Sequence, residues 1–218
     1  MTDENKTSIL CILDRSGSMS SIKDDAIGGF NEFIKKQKEE PGEANVTTIL
    51  FDDQYEVLYK NKNLQDVPVL TEEEFFPRGT TALYDSMGKG MSVLGEELSK
   101  LKEEERPGTV IVVVTTDGYE NASTEYSRAQ IQEMIKTQKD VYSWKFMFLC
   151  ANEDTLKDGI DLGFSKNLSF KFDADSIGSR SSAAVYSCAV SELRSCKPEH
   201  LINTQSMYDD IDSESRTN

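Results

Sequence analysis

Short apolar runs bounded by polar or turn residues recur at 8–13 (SILCIL), 46–51 (VTTILF), 110–115 (VIVVVT) and 144–150 (WKFMFLC). Their wealth of β-branched and aromatic residues predicts strands. Strict in-out alternation is missing: Ile111, Val112, Val113 and Val114 are consecutive, as in parallel strands covered by helices on both faces. A fifth strand is expected at 56–59 (EVLY), after a short acidic turn of Asp52, Asp53 and Gln54. That spacing permits a hairpin but no helical crossover, so this strand should be antiparallel and at an edge. A sixth is expected at 168–172 (LSFKF).

Between these runs the apolar period changes to that of a helix. Ile22, Ala26, Phe30, Phe33 and Ile34 share one face of a helix that starts after a Ser20-Ser21 cap and stops at Pro41-Gly42. Leu83, Met87, Met91, Leu94, Leu98 and Leu101 trace a longer helix ending before Pro107-Gly108, Ala129 to Ile135 suggest a third, and 183–193 a last one packed on the sheet. Strand and helix alternate, which predicts an α/β fold: a doubly wound, Rossmann-like open sheet, mostly parallel with one antiparallel edge strand and helices on both faces. Residues 1–196 are expected to form one domain. The segment 197–218 is polar, with Asp209, Asp210, Asp212 and Glu214 close together, and is expected to be a disordered tail.

Charge narrows the function. The 218 residues carry 39 Asp and Glu against 24 Lys and Arg, a formal net charge of -15. Such a field repels phosphate backbones and anionic lipids, so neither nucleic acid nor a membrane surface is an expected partner. Divalent cations and basic surfaces suit it better, although acidity also serves solubility. No stretch approaches a membrane span, and 1–6 (MTDENK) is unlike a secretory signal; a cytoplasmic location is expected. Of four cysteines, Cys11 and Cys150 sit in apolar runs, and no Cys-x-x-Cys pair suggests zinc or redox work.

The segment 14–20 (DRSGSMS) follows the first strand directly and precedes a helix, where open α/β sheets form their ligand crevice. Asp14, Ser16 and Ser18 present a carboxylate and two hydroxyls at alternate positions, with Gly17 allowing a tight turn. Asp117 ends the run 110–115 in a Thr-Thr-Asp-Gly step, and Thr81 stands at the start of the long helix. Two acids and three hydroxyls would then meet at one rim, a hard oxygen set suited to magnesium, manganese or calcium rather than zinc. Each element alone could be a helix cap or turn; their joint placement is what points to a metal.

In these residues the chain resembles a von Willebrand factor A domain, whose signature is Asp-x-Ser-x-Ser, a distant Thr and a further Asp. The resemblance spans roughly residues 7 to 195. It is nearest to the small stand-alone intracellular bacterial and phage forms, through Leu-Asp-Arg-Ser-Gly-Ser-Met-Ser, Phe-Asp-Asp and Pro-Arg-Gly-Thr-Thr-Ala-Leu. It implies a metal-ion-dependent adhesion site: Mg2+ or Mn2+ held by Asp14, Ser16, Ser18, Thr81 and Asp117, some through water, with a partner's Glu or Asp completing the coordination. The choice of Thr81 over Thr80 rests on the family's placement of this residue before Ala-Leu.

The expected function is thus a non-catalytic, metal-dependent protein-interaction module. Alternatives are a metal-dependent phosphoester hydrolase on the same scaffold, or a structural subunit of a larger assembly. Position 16 is Ser where a haloacid dehalogenase pattern has its second Asp, no P-loop occurs, and His200, the only His, lies in the tail. Asp52 and Asp53 could reach water around the metal or simply serve the hairpin turn. Asp173 and Asp175 read as helix caps, Asp85 as solvent-facing or structural, and Gly28-Gly29 as close packing of the first helix on the sheet.

Overall fold

A computed structural model describes residues 2–196 and 198–217. Its six-stranded sheet contains β1 (Asp3–Asp14), β2 (Glu43–Phe51), β3 (Tyr55–Asn63), β4 (Pro107–Thr116), β5 (Lys145–Cys150) and β6 (Ser169–Lys171), in the order β3-β2-β1-β4-β5-β6. β1 pairs in parallel with β2 and β4, and β4, β5 and β6 continue in parallel. β3 runs antiparallel to β2, with Phe51 opposite Tyr55, so the short acidic turn does close an edge hairpin.

Around the sheet lie α1 (Lys23–Glu39), α2 (Leu83–Lys100), α3 (Arg128–Tyr142), α4 (Glu153–Leu162), α5 (Ser176–Arg194) and α6 (Thr204–Thr217). The unalternating strands serve two cores at once. Ile9, Cys11, Ile111, Val113, Met147 and Leu149 face a core closed by Phe30 and Phe33 of α1 and Val185 and Ala189 of α5. Leu10, Ile12, Val112, Val114, Phe146 and Phe148 face a second one, closed by Met87 and Met91 of α2 and Ile131 and Ile135 of α3. This is the doubly wound α/β arrangement expected from the sequence.

Several elements differ from expectation. Ser20 and Ser21 do not cap α1; they lie inside a 3-10 turn, Gly17–Ile22, that runs directly into it. The two glycines of α1 have different surroundings: a Cβ on Gly29 would stand 2.9 Å from the Ala183 Cβ of α5, whereas one on Gly28 would meet nothing within 4 Å. Close packing therefore explains Gly29, against α5 rather than the sheet, and nothing in the structure explains Gly28. Helix α4 was not foreseen. Asn152 caps it by accepting from Thr155 N at 2.8 Å, and its Gly159 admits the Phe148 ring, 2.5 Å from where a Cβ would be.

The segment expected to be a disordered tail is ordered over its described residues; Lys197 and Asn218 lie outside them. Ile202 and Tyr208 are buried, and the Tyr208 ring stacks on Phe170 of β6 with centroids 5.5 Å apart. Arg216 adds a fork: Nε to Asp212 at 2.6 Å, Nη1 to Asp175 at 3.0 Å and Nη2 to Asp173 at 3.1 Å. A few anchors thus dock a mostly polar helix whose composition alone suggests no core contact.

Asp14, Thr116 and Cys150 are the last residues of β1, β4 and β5, so the loops that follow them share one rim of the sheet. That rim is where the fold presents its side chains outward.

Candidate metal centre

The five oxygen-bearing residues come together there. Asp14, buried at the end of β1, accepts from its own loop through Ser16 N to Oδ1 at 2.7 Å, the hydrogen bond of an Asx turn. Its Oδ2 accepts from Thr116 Oγ1 at 2.6 Å. Ser16 Oγ and Ser18 Oγ lie 3.1 Å apart, and Ser18 Oγ donates to Asp117 Oδ1 at 2.6 Å. Thr81 is also buried, while Thr80 beside it is exposed. A Cβ on Gly118 would stand 3.3 Å from Thr81 Oγ1, 3.5 Å from Ser18 Oγ and 3.9 Å from Asp14 Oδ2, which places all three around one glycine backbone.

Two side chains keep the second and third loops in register. Thr81 N donates to Asn121 Oδ1 at 2.9 Å while Asn121 N donates to Thr81 O at 3.0 Å. Asp85, buried in the first turn of α2, accepts from the backbone N–H of Thr124, Glu125 and Tyr126. Burial opposes its charge, but these three donors hold its pKa below the ordinary carboxylate value. Of the two readings given to Asp85, the structural one holds.

The electrostatics of the cluster are those of anions awaiting a counter-charge. Burial pushes the Asp14 carboxyl up to about 6, despite the opposing hydrogen bonds from Thr116 and Ser16, and nearby Asp117 adds to the rise. Burial raises Asp117 as well, with Ser18 opposing. Among the described residues, no Lys, Arg or His forms an ion pair with either. Among the described residues, no group of three or more His, Cys, Asp or Glu is arranged to hold a metal ion, so the cluster's donors are two carboxylates and hydroxyls. Two desolvated carboxylates and three hydroxyls without a protein cation fit a hard divalent ion: the ion would supply the missing charge, and the donors are all oxygen.

The sequence reading missed three contributors. Thr116 is one; its place two residues before Gly118 in a Thr-Thr-Asp-Gly step was the only hint. Arg15, the unspecified position of Asp-x-Ser, is fully buried. Its Nε donates to Asp52 Oδ2 at 3.1 Å, and Nη1 reaches Glu74 O at 2.9 Å and Glu56 at 2.8 Å. Arg78 is the third, with Nε on the same Asp52 oxygen at 2.9 Å. Asp52 therefore holds two guanidiniums, which keep its carboxyl acidic against the effect of burial. Asp53 lies against Gly79: a Cβ there would be 2.1 Å from Asp53 Oδ1, and with φ at +64° the position suits glycine alone. Asp175 caps α5 as expected, accepting from Gly178 N at 2.7 Å, whereas Asp173 carries Arg216 and donates its N–H to Tyr208 Oη at 2.8 Å.

No family model matches the chain, and no curated protein sequence does. Solved structures do. Proximal thread matrix protein 1 from the mussel byssus superposes with a TM-score of 0.59 at 14% identity, covering 87% of this chain and 46% of that one. The same protein with a zinc occupied MIDAS motif gives 0.57 at 13%, covering 86% and 45%. Manganese-loaded TRAP protein of Plasmodium vivax gives 0.55 at 14%, covering 78% and 70%. A von Willebrand factor type A structure from Catenulispora acidiphila gives 0.55 at 13%, covering 87% and 42%. The chain spans less than half the length of the mussel and Catenulispora proteins. At such identities the likeness speaks for the fold alone: the chain has the fold of von Willebrand factor type A domains.

Proposed function

We propose that the protein is a non-catalytic, metal-dependent interaction module in which Asp14, Ser16, Ser18, Thr81 and Asp117 hold Mg2+ or Mn2+. The observation that carries this reading is the meeting of one buried and one half-buried carboxylate with three hydroxyls from three loops, with no ion pair to either carboxylate among the described residues. When bound, the ion supplies an electrophilic centre whose open positions a partner's Glu or Asp carboxylate can fill. Manganese and zinc in the TRAP and byssus structures of the same fold support a divalent ion at this rim. The all-oxygen donors favour the harder Mg2+ and Mn2+ over zinc.

The chain's own residues orient and desolvate. Thr116 and Ser16 N–H fix the Asp14 carboxylate from the protein side, which leaves its charge directed at the rim. Ser18 does the same for Asp117. Among the described residues, no histidine stands at the rim. The sole histidine stands next to Glu199, which pairs at 3.9 Å with Lys145 at the start of β5, the opposite end of the sheet from the cluster. Among the described residues no helix is long and apolar enough to cross a membrane.

The test is capture of binding proteins from a bacterial lysate on immobilised protein, in Mg2+ and in EDTA, with Asp117→Ala as control. A partner held in Mg2+ and lost both in EDTA and on Asp117→Ala is the expected result. A set of bound proteins indifferent to chelator and to the substitution would contradict the proposal.

A further inference from the structure

Thr81 belongs to a connection, from the end of β3 to α2, whose residues 67–82 contain neither strand nor helix. A stretch of that length has no internal ladder to hold one side chain in place, so its geometry must come from anchors elsewhere. The anchors converge on Asp52. Its carboxylate Oδ2 accepts from Arg15, in the loop carrying Ser16 and Ser18, and from Arg78, in the loop carrying Thr81. Its backbone O accepts from Ala82 N at 2.8 Å, one residue beyond Thr81. The same two loops are laced directly, by Arg78 N to Arg15 O at 3.0 Å and Gly17 N to Gly79 O at 3.3 Å. The Phe76 ring completes the unit, with the Arg15 and Arg78 guanidinium carbons 4.8 and 4.9 Å from its centroid.

Stability alone is a poor reason for this arrangement. Arg15 is wholly buried, and among the described residues its Nη2 finds no hydrogen-bond partner. Burying a guanidinium with an unpaired N–H group is costly, and an apolar side chain of similar volume would serve folding as well. What an apolar residue could not do is bridge two loops through one shared carboxylate in a fixed geometry.

We propose that Asp52, with Arg15 and Arg78, is a positioning unit that sets the spacing between the Ser16–Ser18 loop and Thr81, and thereby tunes the rim to Mg2+ over the larger Ca2+. The inference rests on the proposed cation site. Mg2+ demands near-ideal short octahedral geometry, whereas Ca2+ accepts longer and more flexible coordination, so loosening the loops should penalise Mg2+ selectively.

The experiment is calorimetric titration of the full chain with MgCl2 and with CaCl2, for the wild type, Asp52→Asn, Arg78→Ala and Arg78→Lys. Asp52→Asn removes a negative charge and Arg78→Ala a positive one, so simple electrostatics would move cation affinity in opposite directions and alike for both ions. The positioning account expects both variants to lose about tenfold or more in Mg2+ affinity. It expects a Ca2+ change within about threefold, and Arg78→Lys to recover part of the Mg2+ affinity. If Asp52→Asn fails to fold, the half-exposed Arg78 pair decides the matter. Folded variants with the wild-type ratio of Mg2+ to Ca2+ affinity would overturn the inference while leaving the site intact. A wild type that binds neither ion would overturn the site and the inference together.

Discussion

Ser18 Oγ donates to Asp117 Oδ1 at 2.6 Å across 99 residues of chain, and this single contact ties the loop after β1 to the loop after β4. The hydroxyl offsets part of the rise that burial imposes on the Asp117 pKa. Ser18 is itself exposed, so the contact matters to the site more than to the core. Ser18→Ala is predicted to change metal-free stability by no more than about 1 kcal/mol. Mg2+ affinity, read by calorimetry, should fall by about tenfold.

Gly118 sets how closely backbone approaches the cluster. An alanine Cβ there would crowd Thr81 Oγ1 at 3.3 Å, and its three nearest neighbours are all side-chain atoms of the cluster rather than backbone. Gly118→Ala should fold with a melting midpoint near that of the wild type, yet lose most of its response to Mg2+. A thermal melt with and without the ion reads both quantities at once.

The raised carboxyl of Asp14 has a definite pH signature in metal-free protein. Its folded pKa of about 6 lies above the ordinary 3.8, so the folded state binds the extra proton. Stability from this group is greatest below pH 4 and falls as pH rises through 6, by roughly 3 kcal/mol in full. Asp14→Asn keeps the shape and removes the charge. In EDTA it is predicted to be more stable than the wild type at pH 8 by about 2 kcal/mol, with the gap closing near pH 4. Urea melts of both proteins at the two pH values measure it; a variant less stable at pH 8 would contradict the electrostatic reading.

Helix α6 depends on Tyr208, which is buried, stacks on Phe170 and accepts from Asp173 N. Tyr208→Ala should cost about 3 kcal/mol where the helix docks. Brief proteolysis should then remove 198–217 from the variant while sparing the sheet, and leave the wild type whole.

The strands were legible because a doubly covered parallel sheet demands uninterrupted β-branched and aromatic runs, and Ile111 to Val114 supplies one. The convergence of the five oxygen-bearing residues was legible because they follow strand ends and helix starts at fixed places in sequence. Helix α4 was missed because its apolar residues are few and Gly159 weakens the helical signal, although that glycine is what lets it lie on Phe148. Helix α6 was missed because its docking comes from partners far along the chain, Phe170, Asp173 and Asp175, which no local window contains. Arg15 gave no sign of burial for the same reason: Asp52, Glu56 and Glu74, the groups that make its charge tolerable there, lie 37 or more positions away.

The central claim is that the five-oxygen cluster binds a divalent cation, and the melting midpoint in Mg2+ against EDTA tests it most directly. A bound ion stabilises the folded state by mass action, so the wild type should melt higher as Mg2+ rises, and Asp14→Ala should erase that rise. A wild-type midpoint unchanged between saturating Mg2+ or Mn2+ and EDTA would contradict the account.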